Sequence, residues 1–530
     1  MCEVTLKNFN EILPELENLL KSAKLIAIDT EFSCLTASSN LENSLFDSAQ
    51  DRYSKLRTTV QQIIPFQFGL TAYTFDPDSN TYKGHPYTFY TFPRTSVIAN
   101  IAFVSQAASF QFLSLHNFDF NKLVYEGIPY LNRVQEEEVA READSFCIGS
   151  NSESMVLEDL LDECCQSVEN WLNNDKDTEE LILKYLESFK YNYDLKYFCH
   201  RELRSRFRGL WTFEDDEGFK VQRVSEEKCL ELIKNDKLHG ELLSNLLGFT
   251  RVFRLLVLSK KPIIGHNLFF DLMLLIHHFE TPLPKSYLLF KRTVHSLFPK
   301  IFDTKYITFE VYRNILNDKQ KLKTGLASVY LYFKDGPGRH LAPQSPFIQL
   351  QGCNSGTFHN AGWDSFCTGY IFIRLAHVCA AQKSQVRRKL FMCNELLQAV
   401  SQFENRVYIA RGHLSFIQLD GEDPESRRPP RLIVQGLTRR PVDINKVTSL
   451  LSSCGFVEVK PYSSNGQRAI VAVDNFGSAR RILRKFQSHP DFVIQQYSFL
   501  RHSPVASAFF WSGLILSGSF LGWYGYLKTR

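Results

Sequence analysis

The 530-residue sequence has no Cys-x-x-Cys among its twelve cysteines, so no zinc site of paired cysteines is readable. The cysteines are scattered, with one adjacent pair, Cys164 and Cys165. A long apolar run is missing from the N-terminus. MCEVTLKNFNEILPELENLL carries Glu3, Glu11, Glu15 and Glu17 and does not read as a signal peptide. Free thiols facing a reducing compartment are therefore expected for the bulk of the chain. Net charge is also scarce. The 61 Lys+Arg against 57 Asp+Glu give +4, which argues against a surface coated with basic residues. Apolar residues at 44% and charged residues at 22% exclude wholesale disorder. The length excludes one ordinary domain; at roughly 100–200 residues each, two to four are expected.

The near-neutral average conceals an asymmetry. Residues 424–500 hold twelve Lys/Arg against five Asp/Glu, a net +7. The other 49 Lys/Arg and 52 Asp/Glu leave the rest at −3. A basic block of this kind suits phosphate or anionic lipid headgroups equally. Charge is absent altogether from residues 505–527, VASAFFWSGLILSGSFLGWYGYL, flanked by Arg501 and Lys528. As a helix at 1.5 Å per residue these 23 residues would be about 34 Å long, enough for a bilayer. Trp511, Trp523, Tyr524 and Tyr526 lie toward its ends, as interfacial belts do. The expectation is a C-terminal transmembrane tail anchor with the remaining mass cytosolic. Its moderate apolarity and Lys-Thr-Arg end favour the mitochondrial outer membrane over the endoplasmic reticulum. Gly518-x-x-x-Gly522 offers a packing face for a homodimer, or is coincidence in a Gly/Ser-rich span.

The pattern is α/β with a mixed sheet. A helix-like stretch (8–23) precedes an apolar strand, Leu25-Ile26-Ala27-Ile28. Residues 60–74 and 87–92 read as strands rich in aromatic and β-branched residues. Residues 152–189, 226–258 and 361–381 read as helices. Between the first two, Lys196–Val224 is rich in Arg and aromatics. Arg201, Arg204, Arg206 and Arg208 with Tyr197, Phe198, Phe207 and Trp211 could bind a nucleic-acid backbone with base stacking, or be solvated helix charges. Residues 421–430 (GEDPESRRPP) read as a linker. Then RLIVQGL, DINKVTSLLSSCG, FVEVKPYS, RAIVAVDN, GSARRILRKFQSH and FVIQQYS follow as βαββαβ, the layout of an RNA-recognition-type (RRM-like) α+β domain.

Three short segments carry the candidate chemistry. In Ile28-Asp29-Thr30-Glu31-Phe32, strand periodicity puts Asp29 and Glu31 on one face. Two such carboxylates repel unless a cation joins them, and oxygen ligands suit Mg²⁺ or Mn²⁺. In Ile264-Gly265-His266-Asn267-Leu268-Phe269-Phe270-Asp271, a strand enters a tight turn and a helix opens with Asp271. In His359-Asn360-Ala361-Gly362-Trp363-Asp364, Asp364 begins a helix and His359 precedes it by five. Four carboxylates can hold two divalent ions about 4 Å apart, clamping the attacking and leaving oxygens at phosphorus. A histidine with a pKa near 6.5 suits the base.

The order IDTEF, GHN-x₃-D and H-x₄-D resembles the DEDD 3′→5′ exonucleases with histidine as base. VQQIIPFQFGL (60–70), FYTFP (89–93), FVSQAASFQFL (103–113), FDFNKLVYEGIPYLN (118–132), LFPKIFDTKYI (297–307) and HNAGWDSFCTG (359–369) resemble the poly(A)-specific ribonuclease family over about residues 1–420. The resemblance implies an RNase H-like DEDD exonuclease fold split into 1–150 and 246–420. A small single-strand-binding α/β module would be inserted at 151–245, with an RRM-like domain at 431–500 and the anchor at 505–527. It implies Asp29, Glu31, Asp271 and Asp364 as ligands of two Mg²⁺ ions, for which Mn²⁺ may substitute, and His359 as base. It also implies that Ser105, Gln106, Ser109, Phe110, His266 and Asn267 meet the substrate; for the first four a buried structural face is the alternative. Within the family, an anchored member resembles the branch that trims pre-piRNA 3′ ends on a Piwi protein, at a membrane, with a Tudor-KH-type adaptor. A general poly(A) deadenylase and a non-catalytic RNA-binding scaffold are the competing readings. The 431–500 domain contains no Trp, so cap recognition by stacking on a domain Trp is not expected.

Overall fold

The structure, a computed structural model, describes residues 2–528 apart from 94–100, 146–151, 175–177, 185–192, 216–217, 314–322, 353–354, 385–388, 411–413, 427, 438–439 and 463–464. By its contacts the chain divides into two units. One comprises Met1–Leu41, Ser54–Tyr408 and Ile417–Glu422; the other comprises Glu42–Tyr53, Ile409–Phe416 and Asp423–Arg530.

The first unit is built on a mixed sheet. Its strands are β1 (Cys2–Val4), β2 (Leu25–Phe32), β3 (Pro65–Asp76) and β4 (Thr81–Tyr90). A separate three-stranded antiparallel sheet holds β5 (Glu180–Lys184), β6 (Leu210–Asp215) and β7 (Gly218–Arg223) in the order β5-β7-β6. The main sheet resumes with β8 (Ile263–Gly265), β9 (Ile301–Asp303), β10 (Phe347–Leu350), β11 (Arg406–Tyr408) and β12 (Phe416–Gln418). Its order is β1-β4-β3-β2-β8-β9-β11-β12, with β10 beside β4. β2 is antiparallel to β3 and parallel to β8, so it lies in the middle. That position explains the apolar run Leu25–Ile28: a strand covered on both faces needs no alternation.

The helix Ala361–Lys383 lies across this sheet, and every residue from Ala361 to Ile373 is buried. Its docking depends on Gly69 of β3. A Cβ there would come within 1.8 Å of the Ala361 carbonyl oxygen, so only glycine lets the helix start reach the sheet. Thr71 Oγ1 and Ser365 Oγ at 2.7 Å, and Tyr73 Oη donating to the Phe366 carbonyl, fix the next turn.

In the second unit, β13 (Leu432–Gly436), β14 (Val457–Pro461), β15 (Arg468–Val473) and β16 (Phe492–Gln496) form an antiparallel sheet in the order β14-β15-β13-β16. The helices Ile444–Ser452 and Phe476–Lys485 cover one face of it through Val447, Leu451, Ala479 and Ile482.

Several expected elements differ. The 152–189 helix stops at Asn174, and β5 follows from Glu180; its short apolar run Leu181-Ile182-Leu183 lies between Glu180 and Lys184 and is too short for a helix. Residues 175–177 and 185–189 of that expected helix lie outside the described residues. The expected strand 60–74 begins only at Pro65, because the helix Ala49–Val60 precedes it. The 226–258 stretch is three helices, Glu226–Lys234, Leu238–Leu247 and Phe249–Ser259. Gly248 breaks the last two apart at φ +36, where a Cβ would press to 2.3 Å from the Pro129 carbonyl oxygen.

The C-terminal span is corrected as well. A helix, Pro504–Lys528, does form. Among the described residues, however, no helix is long and apolar enough to cross a membrane. Four Ser, four Gly, two Trp and two Tyr within 505–527 dilute the apolar run. The expected transmembrane anchor is therefore unsupported, and with it the mitochondrial outer membrane and endoplasmic reticulum assignments.

Candidate active site

β2 delivers the first two acids. Asp29 pairs with Gly69 and Glu31 with Gln67 across β3, with Thr30 between them. Thr30 Oγ1 donates to Asp271 Oδ1, tying the first turn of the helix Phe269–Leu275 to the strand. Asp364 sits in the first turn of Ala361–Lys383. Its Oδ2 accepts the His359 backbone N–H at 3.0 Å. Its Oδ1 is buried and has no hydrogen-bond partner among the described residues.

These acids repel one another in a partly buried cluster. Burial, then the charges of Asp364, Asp271 and Glu31, drives the Asp29 carboxyl far above its usual range. Burial, then Asp364 and Asp271, does the same to Glu31. Burial lifts Asp271 to about 7 against the opposing Thr30 hydrogen bond, and lifts Asp364 to about 7 against the His359 N–H. One donor atom from each of Glu31, His359 and Asp364 lies within 4.8 Å of the others. An orphaned buried carboxylate oxygen and acids held above their normal pKa fit a cation-binding donor set.

His359 stands at φ +66, just before the helix. The turn is held by Asn360, whose Oδ1 accepts from Gly362 N at 3.1 Å, Trp363 N at 3.3 Å and Thr88 Oγ1 at 2.9 Å. The His359 ring lies 4.1 Å from the His116 ring and 4.7 Å from the Phe112 ring, centroid to centroid. Burial, then the charge of His116, lowers the His359 pKa.

The GHN turn is built by an acid outside the expected set. Asp303, fully buried at the end of β9, accepts the N–H groups of Asn267 and Leu268 at 3.0 Å, Tyr408 at 3.0 Å and Lys305 at 2.9 Å. Asn267 adopts φ +66 there. His266 has Nδ1 2.9 Å from Thr304 Oγ1 and Nε2 3.1 Å from the Thr324 carbonyl oxygen. Both ring nitrogens are thus engaged within the protein.

The 105–110 segment is fastened to the chain leaving β2. Ser105 Oγ donates to the Ser33 carbonyl at 2.8 Å, and Gln106 Nε2 to the Thr36 carbonyl at 2.7 Å. Ser109 lies in the first turn of the helix Ala107–Leu115. Phe110 is 38% exposed while packing on Phe66 and Phe120. The structure therefore brings the four acids and His359 together. Ser105 and Gln106 bind the loop after β2, and His266 and Asn267 shape the turn before Asp271.

Sequence reasoning missed Asp303, His116, Phe112 and Asn360. Asp303 had a signal, since an Asp between a strand and Thr304 reads as a helix cap, and it caps through Lys305 N. Asn360 had the same kind of signal. His116 had none.

The Arg-rich surface at 197–211 is partly spent on the fold. Arg204 stacks on Trp211 at 3.9 Å, pairs with Asp236 at 2.9 Å and donates to the Thr212 carbonyl at 2.6 Å. Arg201 pairs with Glu202. A cavity of about 730 Å³ beside them is lined by Tyr197, Phe207, Arg208 and Trp211 among others, and by none of the four acids.

Residues 4–372 match the model of the CAF1 family ribonucleases. A pre-piRNA 3′-exonuclease trimmer of Bombyx mori is 33% identical over 525 residues, which cover 97% of each chain. The poly(A)-specific ribonuclease PNLDC1 of Mus musculus is 28% identical over 522 residues, 95% of each chain. The poly(A)-specific ribonuclease PARN of Danio rerio is 28% identical over 457 residues, 82% of this chain and 68% of its own.

Proposed function

This chain belongs to the CAF1 family of ribonucleases, and we propose that it is a divalent-metal-dependent 3′→5′ exoribonuclease trimming the 3′ ends of Piwi-bound piRNA precursors. The observation that carries the chemistry is the convergence of three partly buried acids, Asp29, Glu31 and Asp271, on the buried Asp364, whose Oδ1 lacks any proton donor among the described residues. Those four side chains would hold Mg²⁺, or Mn²⁺ in its place, as hard oxygen ligands do. When bound, two such ions offset the charge at the scissile phosphate and make water acidic enough to attack near neutral pH.

The protein's own groups do the remaining work. His359 accepts the proton of the attacking water. A pKa below the ordinary histidine value keeps its ring unprotonated at neutral pH and able to accept. Thr30 orients Asp271, and the His359 N–H orients Asp364. Water adds across the P–O3′ bond, releasing a 5′-nucleotide and leaving a new 3′-hydroxyl on the shortened strand. Ser109 and Phe110 meet the terminal nucleotides. Ser105 and Gln106 fix the loop behind Glu31, and His266 and Asn267 shape the floor below Asp271.

The small-RNA reading is supported by the end-to-end match with the silkworm trimmer. A Tudor-KH-type adaptor would then bring the Piwi-bound RNA to the enzyme. In domain terms, the main sheet is the split nuclease, 1–150 and 246–420. The 151–245 insertion is a single-strand-binding module, 421–430 a linker and 431–500 an RRM-like module. The names of the vertebrate relatives favour a second reading, general poly(A) deadenylation. Purified chain with Mg²⁺ should shorten a labelled single strand from its 3′ end, and Asp29→Ala should abolish this. Faster processing of Piwi-loaded RNA of mixed sequence than of free poly(A) supports the trimmer reading; equal processing without an adaptor selects the deadenylase.

A further inference from the structure

Modules of βαββαβ order commonly read single-stranded RNA on the sheet face opposite their helices. In this chain the part of that face around Ile433, Ile470 and Ala472 is covered. Leu432 and Val434 of β13, Val457 and Val459 of β14, and Val471 of β15 point into the core under the two helices. By strand alternation, Ile433, Glu458, Lys460, Ile470 and Ala472 point the other way. They form one patch, because Ile433 pairs with Ile470, Lys460 with Ile470, and Glu458 with Ala472. An uncovered patch would be exposed, yet Ile433 is 3%, Ile470 7% and Ala472 5% exposed.

The covering is a segment of the same unit, residues 42–53. Glu458 accepts Ser44 Oγ at 2.7 Å and the Leu45 N–H at 2.6 Å. Lys460 Nζ donates to Ser44 Oγ at 3.0 Å and stands 4.7 Å above the Phe46 ring, which Arg431 approaches from 5.5 Å. Arg428 donates to the Leu45 carbonyl, and Arg52 to that of Ser44. Leu45 is left 5% exposed. The module has also lost the means to read bases there, since no aromatic residue stands among the outward-facing positions of β13 and β15.

We propose that this sheet patch is a docking surface for the chain's own residues 42–53 and that it does not bind RNA. The inference stands apart from the chemistry of the four acids.

The test is hydrogen–deuterium exchange on the full chain together with crosslink mapping. In the parent, amides of 44–47 should exchange slowly. Glu458→Ala should speed them at least about tenfold, while the amides of 444–452 and 476–485 keep their protection. Phe46→Ala, which alters only the segment, should do the same and covers the case in which Glu458→Ala fails to fold. A 4-thiouridine single strand crosslinked to the parent should leave peptides 432–436 and 468–473 unlabelled. Fast exchange of 44–47 in the parent, unchanged exchange in both variants, or RNA crosslinks on β13 or β15 would each overturn the proposal.

Discussion

Two sheets in this chain present carboxylates beside a strand, and they have opposite fates. On β2, Asp29 and Glu31 face Asp271 and Asp364; Thr30 Oγ1 and backbone N–H groups serve Asp271 and the His359 N–H serves Asp364, but burial and mutual repulsion outweigh them. Their pKa values climb. On β14, burial raises Glu458 too, but Ser44, the Leu45 N–H and Lys460 outweigh it, and the carboxyl stands below its ordinary value. Burial is common to both; the supply of donors differs. A buried acid supplied with donors cements a fold, whereas a set of acids deprived of them keeps oxygen valence for something to be bound.

Removing one of the donor-deprived acids should have the largest effect. Asp29→Asn or Asp364→Asn should cost several kcal/mol of transition-state stabilisation, on the order of 10³-fold in rate, while the fold persists by circular dichroism. Next comes His359→Ala, expected to lose about 10²–10⁴-fold in kcat in a single-turnover assay. Gly69→Ala should be poorly tolerated, because its Cβ meets the Ala361 backbone rather than a movable side chain. A destabilisation of about 1–3 kcal/mol, read from the urea midpoint, is expected along with lost activity.

The comparison can also be sharpened by pH. Asp271 and Asp364 titrate near 7 in the folded, metal-free chain but near 3.8 when unfolded. Between about pH 4 and 7 the folded chain holds protons that the unfolded chain has shed, so stability falls as pH rises through that window. The metal-free Tm should therefore drop from pH 5 to pH 8, and Mg²⁺ should restore it at pH 8. Glu458 contributes the opposite slope, its stabilisation fading as pH falls through its depressed pKa. Smallest of all, Glu458→Ala should cost about 1–3 kcal/mol through the unpaired Ser44 and Leu45 donors and leave cleavage of free RNA near its parent rate.

Much of the site was legible because its acids lie at the ends of local elements. An apolar strand running into Asp-x-Glu, a strand-turn ending in Asp271, and a capped helix start with Asp364 each carry a short-range pattern. The βαββαβ order was equally local, being set by alternation and by Asn/Asp caps such as Asp443 and Asn475. What escaped depended on distance. His116 meets His359 from more than two hundred residues away, and nothing near it announces the meeting. Gly69 is one glycine among 26 until the helix arrives on it. The burial of Ile433 and Ile470 on an outward face needs residues 42–53, far off in sequence. The tail differs for another reason: lack of charge is not apolarity, and half its residues are Gly, Ser, Trp or Tyr.

The central claim is most directly tested by following a 5′-labelled single-stranded RNA under single-turnover conditions with Mg²⁺, using the parent chain and Asp364→Asn side by side. The account predicts a ladder of products shortened stepwise from the 3′ end by the parent, its loss on chelation, and no shortening by the variant. Shortening by Asp364→Asn at the parent's rate, or by the parent without any divalent ion, would contradict it.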